Sequence, residues 1–233
     1  MDKNYKIAGL TVTMDVTGIT ERRAIPYLCT SCQEPDMTLT EGFREYYETC
    51  RYECSEEAAQ HVYTANAFYQ GLLSYQGMMI HSSAVVVDGR AYLFSAVSGT
   101  GKSTHTQLWL KQFGERAYIL NDDKPALRLI DGVWYACGTP WSGKHDKSAP
   151  VCVPLAGIAI LNRSKDNRIE RHGGIAAVSE LLEQTLRPDH KRAELLELLD
   201  KLVTQVPIWK LHCNMDPEAA VVAFNAMSGT EKE

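Results

Sequence analysis

The residues with the clearest chemical capacity lie between Ser95 and Thr104, where the chain reads Ser-Ala-Val-Ser-Gly-Thr-Gly-Lys-Ser-Thr. The pattern is that of a phosphate-binding loop, with Ala96 in the first glycine position and Gly101-Lys102-Ser103 intact. Glycine lets a backbone curl tightly enough for successive N–H groups to face one anion. The expected binding stretch is therefore Ser98, Gly99, Thr100, Gly101, Lys102, Ser103 and Thr104. Lys102 would bring a point charge to the outer phosphates and Ser103 a hydroxyl to a Mg²⁺ ion. A helix starting here would direct its positive end at the same anion. A glycine-rich turn that binds nothing is the alternative.

A second group with chemical capacity follows at Asn121-Asp122-Asp123. One carboxylate after an apolar strand could hold Mg²⁺, and the other could take a proton from an attacking hydroxyl. The competing reading is a polar turn, for which Asn and Asp are suited. Further on, Gly138-Thr139-Pro140-Trp141-Ser142-Gly143-Lys144-His145 is rich in donors, and Lys144 could meet an acceptor or a transferring phosphate. An exposed turn with an incidental lysine fits that stretch as well.

The elements that must position these groups are legible around them. Residues 91–94 read as the strand feeding the loop, and Thr106, Trp109, Leu110 and Phe113 fall on one helical face ending at Gly114. The Asp88-Gly89 dipeptide between apolar runs predicts a hairpin, so the feeding strand pairs antiparallel with the strand after His81. Residues 117–120 read as a strand, and Asp131-Gly132 predicts a second hairpin. The strand over 153–161, the helices over 176–186 and 191–206, the strand over 208–211 and a helix from Asp216-Pro217 to Met227 read as scaffold.

Residues 1–75 carry less signal. Ile7, Leu10 and Val12 suggest a strand around Gly9, residues 25–28 another, and 41–75 a helical stretch. Cys29, Cys32, Cys50 and Cys54 could together hold a structural zinc ion, against the alternative of four unrelated thiols. The expected organisation is an N-terminal strand and helix region over 1–75, packed on a core over 76–233 as one compact unit.

Composition bounds the rest. Net charge of −5 with no basic block argues against a nucleic-acid partner. No apolar run is long enough to cross a bilayer, and the first residues lack the apolar core of a signal peptide. A cytoplasmic protein is expected, and its seven cysteines are then expected as thiols or ligands rather than disulfides.

The order His81, hairpin, Ser98-Gly99-Thr100-Gly101-Lys102-Ser103, Asp122-Asp123 resembles the catalytic domain of bacterial HPr kinase/phosphorylase, of the phosphoenolpyruvate carboxykinase-like fold group. It is also similar to the related tailoring kinases that phosphorylate a serine of lasso-peptide precursors. The resemblance covers residues 78–125 closely and the remainder to 227 more loosely. It implies an α/β fold of mixed, largely antiparallel sheets flanked by helices. It implies an ATP- and Mg²⁺-dependent kinase acting on a hydroxyl, with a serine of a peptide or protein as the expected acceptor. A small hydroxyl-bearing metabolite as acceptor, or a nucleotide-binding regulator without catalysis, are the alternatives. Carried over by position, Asp122 becomes the general base, His81 the histidine beside it, and Asp123 the partner of Ser103 around Mg²⁺. Thr104 stands where that family usually has Glu, and the family's separate N-terminal domain is not recognisable in 1–75. A homo-oligomer is compatible with this reading.

Overall fold

The computed structural model describes residues 2–30 and 34–229. β1 (Lys3–Ile7) and β2 (Leu10–Met14) form an antiparallel hairpin, because Ala8 and Gly9 both take positive φ and turn the chain there. After α1 (Gly18–Ala24), the expected strand at 25–28 is instead a single 3-10 turn over Ile25–Tyr27. Pro26, with its fixed φ and no N–H, starts that turn, and only Leu28 makes a bridge, to Tyr5. β3 (Met37–Thr38) then adds parallel to β2. The helical stretch expected over 41–75 is divided into α2 (Phe43–Cys50) and α3 (Glu56–Leu72). Ser55 breaks it by taking extended backbone and capping α3, its Oγ accepting from the Ala58 N–H at 3.3 Å.

The larger unit runs through β4 (Gly77–Met79), β5 (Ser82–Val87), β6 (Arg90–Ser95), α4 (Lys102–Phe113), β7 (Ala117–Asn121), β8 (Ala126–Ile130) and β9 (Val133–Cys137). It continues with β10 (Cys152–Arg163), β11 (Arg168–His172), α5 (Gly174–Glu183), α6 (Arg192–Gln205), β12 (Ile208–Cys213) and α7 (Glu218–Ser228). Its strands lie in the order β4-β8-β9-β10-β6-β5-β7, with β12 beside β10 and β11 beside β12. β10 holds the sheet together. Its first residues pair antiparallel with β9, and the rest pairs parallel with β6 and β12. Both Asp-Gly dipeptides close hairpins, with Asp88, Gly89, Asp131 and Gly132 all at positive φ. The fold is α/β, with mixed sheets and helices.

Alternation along β6 sends its side chains to two cores. Ala91 and Leu93 face the cluster that includes Leu181, Leu195, Leu199 and Leu202 of α5 and α6. Tyr92 and Phe94 face Trp109 of α4 and Ala220 and Ala223 of α7. A third cluster joins the N-terminal region to the rest, with Tyr5, Phe68 and Tyr69 packed together with Ala126, Cys137 and Trp141. Among the described residues no helix is long and apolar enough to cross a membrane.

The expectation of reduced cysteines is corrected at one pair. Cys137 and Cys152 form a disulfide, since the antiparallel register of β9 and β10 sets them directly opposite with Cα atoms 4.1 Å apart. Fifteen residues of separation gave no sign of that pairing. Cys29, Cys50, Cys54 and Cys213 are free thiols.

Candidate functional site

Strand order brings the chemically capable residues to one end of the sheet. β5 lies between β6 and β7 and runs antiparallel to both, so its first residues sit beside the last residues of its neighbours. Ser82 opposes Ser95, and Ala84 opposes Asn121. His81 therefore meets the start of the glycine loop on one side and Asp122-Asp123 on the other. Hydrogen bonds fix this junction. The Ser95 hydroxyl donates to the His81 carbonyl at 2.9 Å, and the Ser82 N–H donates to the Asp123 carbonyl at 3.1 Å.

The cleft so formed has a volume of about 340 Å³. Ser98, Gly99, Gly101, Lys102, Ser103 and Thr104 line it from the loop and the start of α4, facing His81, Asp122 and Asp123. Gly143, Lys144 and His145 close the far side. Of the candidate residues from the loop, Thr100 lies outside this lining and borders the cavities on the other side.

Gly99 (φ +80°) and Gly101 (φ +123°) hold conformations that side-chain-bearing residues rarely adopt, which is why the turn into α4 needs glycine at both positions. Lys102 is 8% exposed and donates from Nζ to the Ala96 carbonyl at 2.9 Å, folding back across the loop. Burial lowers its pKa, and the nearby charge of Asp123 opposes that shift. Arg163, at the end of β10, donates from Nε to the Thr100 carbonyl at 3.0 Å and also binds the Gly99 carbonyl.

The two aspartates have different surroundings. Burial pushes the Asp123 carboxyl up, but hydrogen bonds from His81 and Lys124 outweigh it and hold the group at about 2. The His81 Nε2 to Asp123 Oδ1 distance is 2.8 Å. Asp122 shifts the other way. It is 7% exposed, and burial raises its pKa against the Gly143 N–H, which donates to Oδ1 at 2.6 Å. The Asp123 charge raises it further. One acid is thus locked as a carboxylate, and the other is the more basic of the pair. Asn121 shapes the turn that separates them, its Oδ1 accepting from the N–H groups of Asp123 (3.0 Å) and Lys124 (2.7 Å).

The loop over 138–151 is held against Asp122 by groups that sequence reasoning missed. Arg23 of α1 donates to the carbonyls of Ser142 (2.8 Å) and Gly143 (2.9 Å) and pairs with Asp146 at 2.9 Å. The Tyr27 hydroxyl lies 2.6 Å from that of Ser148. No local signal marks Arg23, which acts across 120 positions of sequence. Arg163 had a signal, being the first cation after an apolar strand. Lys144 reaches the cleft from an exposed position.

A hard cation would find oxygen donors here, in the Ser103 hydroxyl and the Asp123 carboxylate. Mg²⁺ suits such a set, because it keeps several waters and takes only one or two carboxylates alongside phosphate oxygens. For zinc, Cys50 and Cys54 are one turn apart and interact, whereas Cys32 lies outside the described residues. Among the described residues no group of three or more His, Cys, Asp or Glu is arranged to hold a metal ion.

No family model and no curated protein matches the chain. Among solved structures, the chain is similar to the HPr(Ser) kinase/phosphatase from Coxiella burnetii, at a TM-score of 0.39 and 11% identity, over 66% of this chain and 92% of that one.

Proposed function

We propose that the protein is an ATP- and Mg²⁺-dependent kinase with a phosphate-binding loop, in the manner of the carboxykinase-like kinases, that transfers the γ-phosphate to a hydroxyl. The acceptor that the family resemblance implies is a serine of a peptide or protein. The observation that carries this reading is the convergence of Lys102 and Ser103 with Asp122, Asp123 and His81 on a single cleft. The loop N–H groups and Lys102 bind the phosphates. Ser103 and Asp123 would hold Mg²⁺, which when bound neutralises charge on the transferring group. Asp122 orients the acceptor hydroxyl and accepts its proton. His81 and Lys124 keep Asp123 ionised and correctly turned. Two acids in different surroundings, one held low and one raised, support catalysis over mere nucleotide binding, for which one metal-directed carboxylate suffices.

The test is transfer of label from γ-labelled ATP with Mg²⁺ into cell extract, separated into macromolecular and small-molecule fractions. Wild-type protein should label a peptide or protein on serine, and label confined to small molecules would reassign the acceptor to a metabolite. Asp122→Asn should bind nucleotide but lose transfer, and wild-type transfer by this variant would remove the mechanism. Lys102→Ala should lose both binding and transfer while keeping its fold by circular dichroism.

A further inference from the structure

Peptide orientation in the glycine loop follows from where each carbonyl finds its donor. The Ala96 carbonyl accepts from Lys102 Nζ at 2.9 Å, that of Val97 from the Thr100 N–H at 3.2 Å, and that of Gly101 from the His105 N–H at 2.9 Å. These donors belong to the loop itself or to the first turn of α4. Gly99 and Thr100, at the apex, differ. Both of their carbonyls accept from the guanidinium of Arg163, which lies 63 residues beyond Thr100 and closes β10. The strand is a fixed anchor, paired parallel with β6 on one side and with β12 on the other, where Arg163 stands opposite Cys213.

Arg163 reaches the loop from the side away from the phosphate cleft, where it borders both of the cavities that Thr100 borders. A trans peptide unit points its N–H opposite to its C=O. Drawing the Thr100 carbonyl to Arg163 therefore turns the Gly101 N–H the other way, towards the cleft that Gly101 lines. Drawing the Gly99 carbonyl there likewise turns the Thr100 N–H back onto Val97. Gly99 and Gly101, both at positive φ, leave these two units free to rotate unless something outside the loop holds them. We propose that Arg163 is the positioning residue of the phosphate-binding loop, holding the Gly99 and Thr100 carbonyls outward so that the Gly101 N–H stays aimed at a bound phosphate. Arginine suits this task because its planar fork satisfies two acceptors at once, whereas lysine offers a single flexible point charge.

The proposal rests on the phosphate-binding reading above, and the experiment separates the two. Wild-type protein, Arg163→Ala and Arg163→Lys are compared by two measurements. One is hydrogen exchange of the Thr100 N–H without ligand, and the other is the dissociation constant of inorganic tripolyphosphate by calorimetry. Arg163 is exposed at a strand end, so both variants keep the fold. Arg163→Ala should exchange Thr100 faster while β6 and β10 keep wild-type protection. It should bind tripolyphosphate about tenfold more weakly, as expected from loss of charge-assisted hydrogen bonds. Arg163→Lys should recover only part of that affinity. Unchanged exchange in Arg163→Ala overturns the proposal. So does faster exchange with unchanged affinity, which makes Arg163 a structural residue only. Wild-type affinity in Arg163→Lys reduces the residue to a source of charge and overturns it as well. Failure of wild type to bind tripolyphosphate overturns the phosphate site itself, and the positioning role with it.

Discussion

The main-chain N–H of Gly143 donates to Asp122 Oδ1 at 2.6 Å, which ties a loop after β9 to an acid after β7. The loop approaches so closely that a Cβ at position 143 would lie 3.1 Å from the same oxygen. This contact opposes the effect of burial on Asp122, so the loop sets how readily the acid accepts a proton.

On the proposed reading, in which Asp122 acts as an ionised base, the acid limb of kcat/KM should lie above the ordinary carboxylate value of 3.8, because burial raises the pKa of Asp122. Activity should rise with pH through that limb. The groups that face Asp122 are Asp123, which raises its pKa, and His145, which lowers it, with His81, Lys102 and Lys144 in the same cleft. A pH–rate profile checks this, and a limb at or below 3.8 would contradict the assignment of Asp122 as base.

Arg23 is the positioning residue for that contact. Arg23→Ala frees the carbonyls of Ser142 and Gly143 and the Asp146 carboxylate together. Misplacement of a reacting group by about 1 Å can cost ~100-fold in rate, so kcat should fall by about that factor. The acid limb should also move to higher pH as the Gly143 N–H leaves Asp122. A fall in thermal stability with an unchanged limb would make Arg23 a structural residue only.

Closing the Cys137–Cys152 disulfide constrains a stretch of 15 residues that contains Gly143. A loop of this length contributes about 3 kcal/mol through the unfolded chain. Cys152→Ser, or reduction by dithiothreitol, should lower the melting temperature accordingly. Thermal scans with and without reductant, alongside thiol titration, measure it. An unchanged melting temperature with both thiols exposed would contradict it.

Stability should fall on mild acidification. Burial lowers the pKa of His105 to about 4, and burial with the charges of Arg23 and Lys124 does the same for His61. Between that value and the ordinary 6.5, the unfolded chain binds protons that the folded chain refuses, so stability present above 6.5 is lost towards 4. His105 alone should cost about 1 kcal/mol by a pH one unit below 6.5. Asp123 stays out of this window, because its stabilisation declines only below 3.8. Unfolding by urea from pH 7 to 5 should show the loss, and His105→Phe should flatten it.

Local signals alone fixed much of the chain. Asp88-Gly89 and Asp131-Gly132 announced their hairpins because a two-residue turn with positive φ favours those residues. Gly99, Gly101, Lys102 and Ser103 were legible as one group because a phosphate cradle is built from adjacent backbone. Asp122 and Asp123 stood out as acids at the end of an apolar strand, although nothing in their order distinguished the two. Tertiary structure made that distinction, by setting His81 and Lys124 against Asp123 and the Gly143 N–H against Asp122. It also brought in Arg23 from 120 residues away, opposed Cys137 to Cys152, and left His105 Nδ1 and Asn162 Nδ2 without hydrogen-bond partners among the described residues. These are relations between segments distant in sequence. They depend on which strands become neighbours and in what register, and a residue's type and immediate spacing carry no record of that.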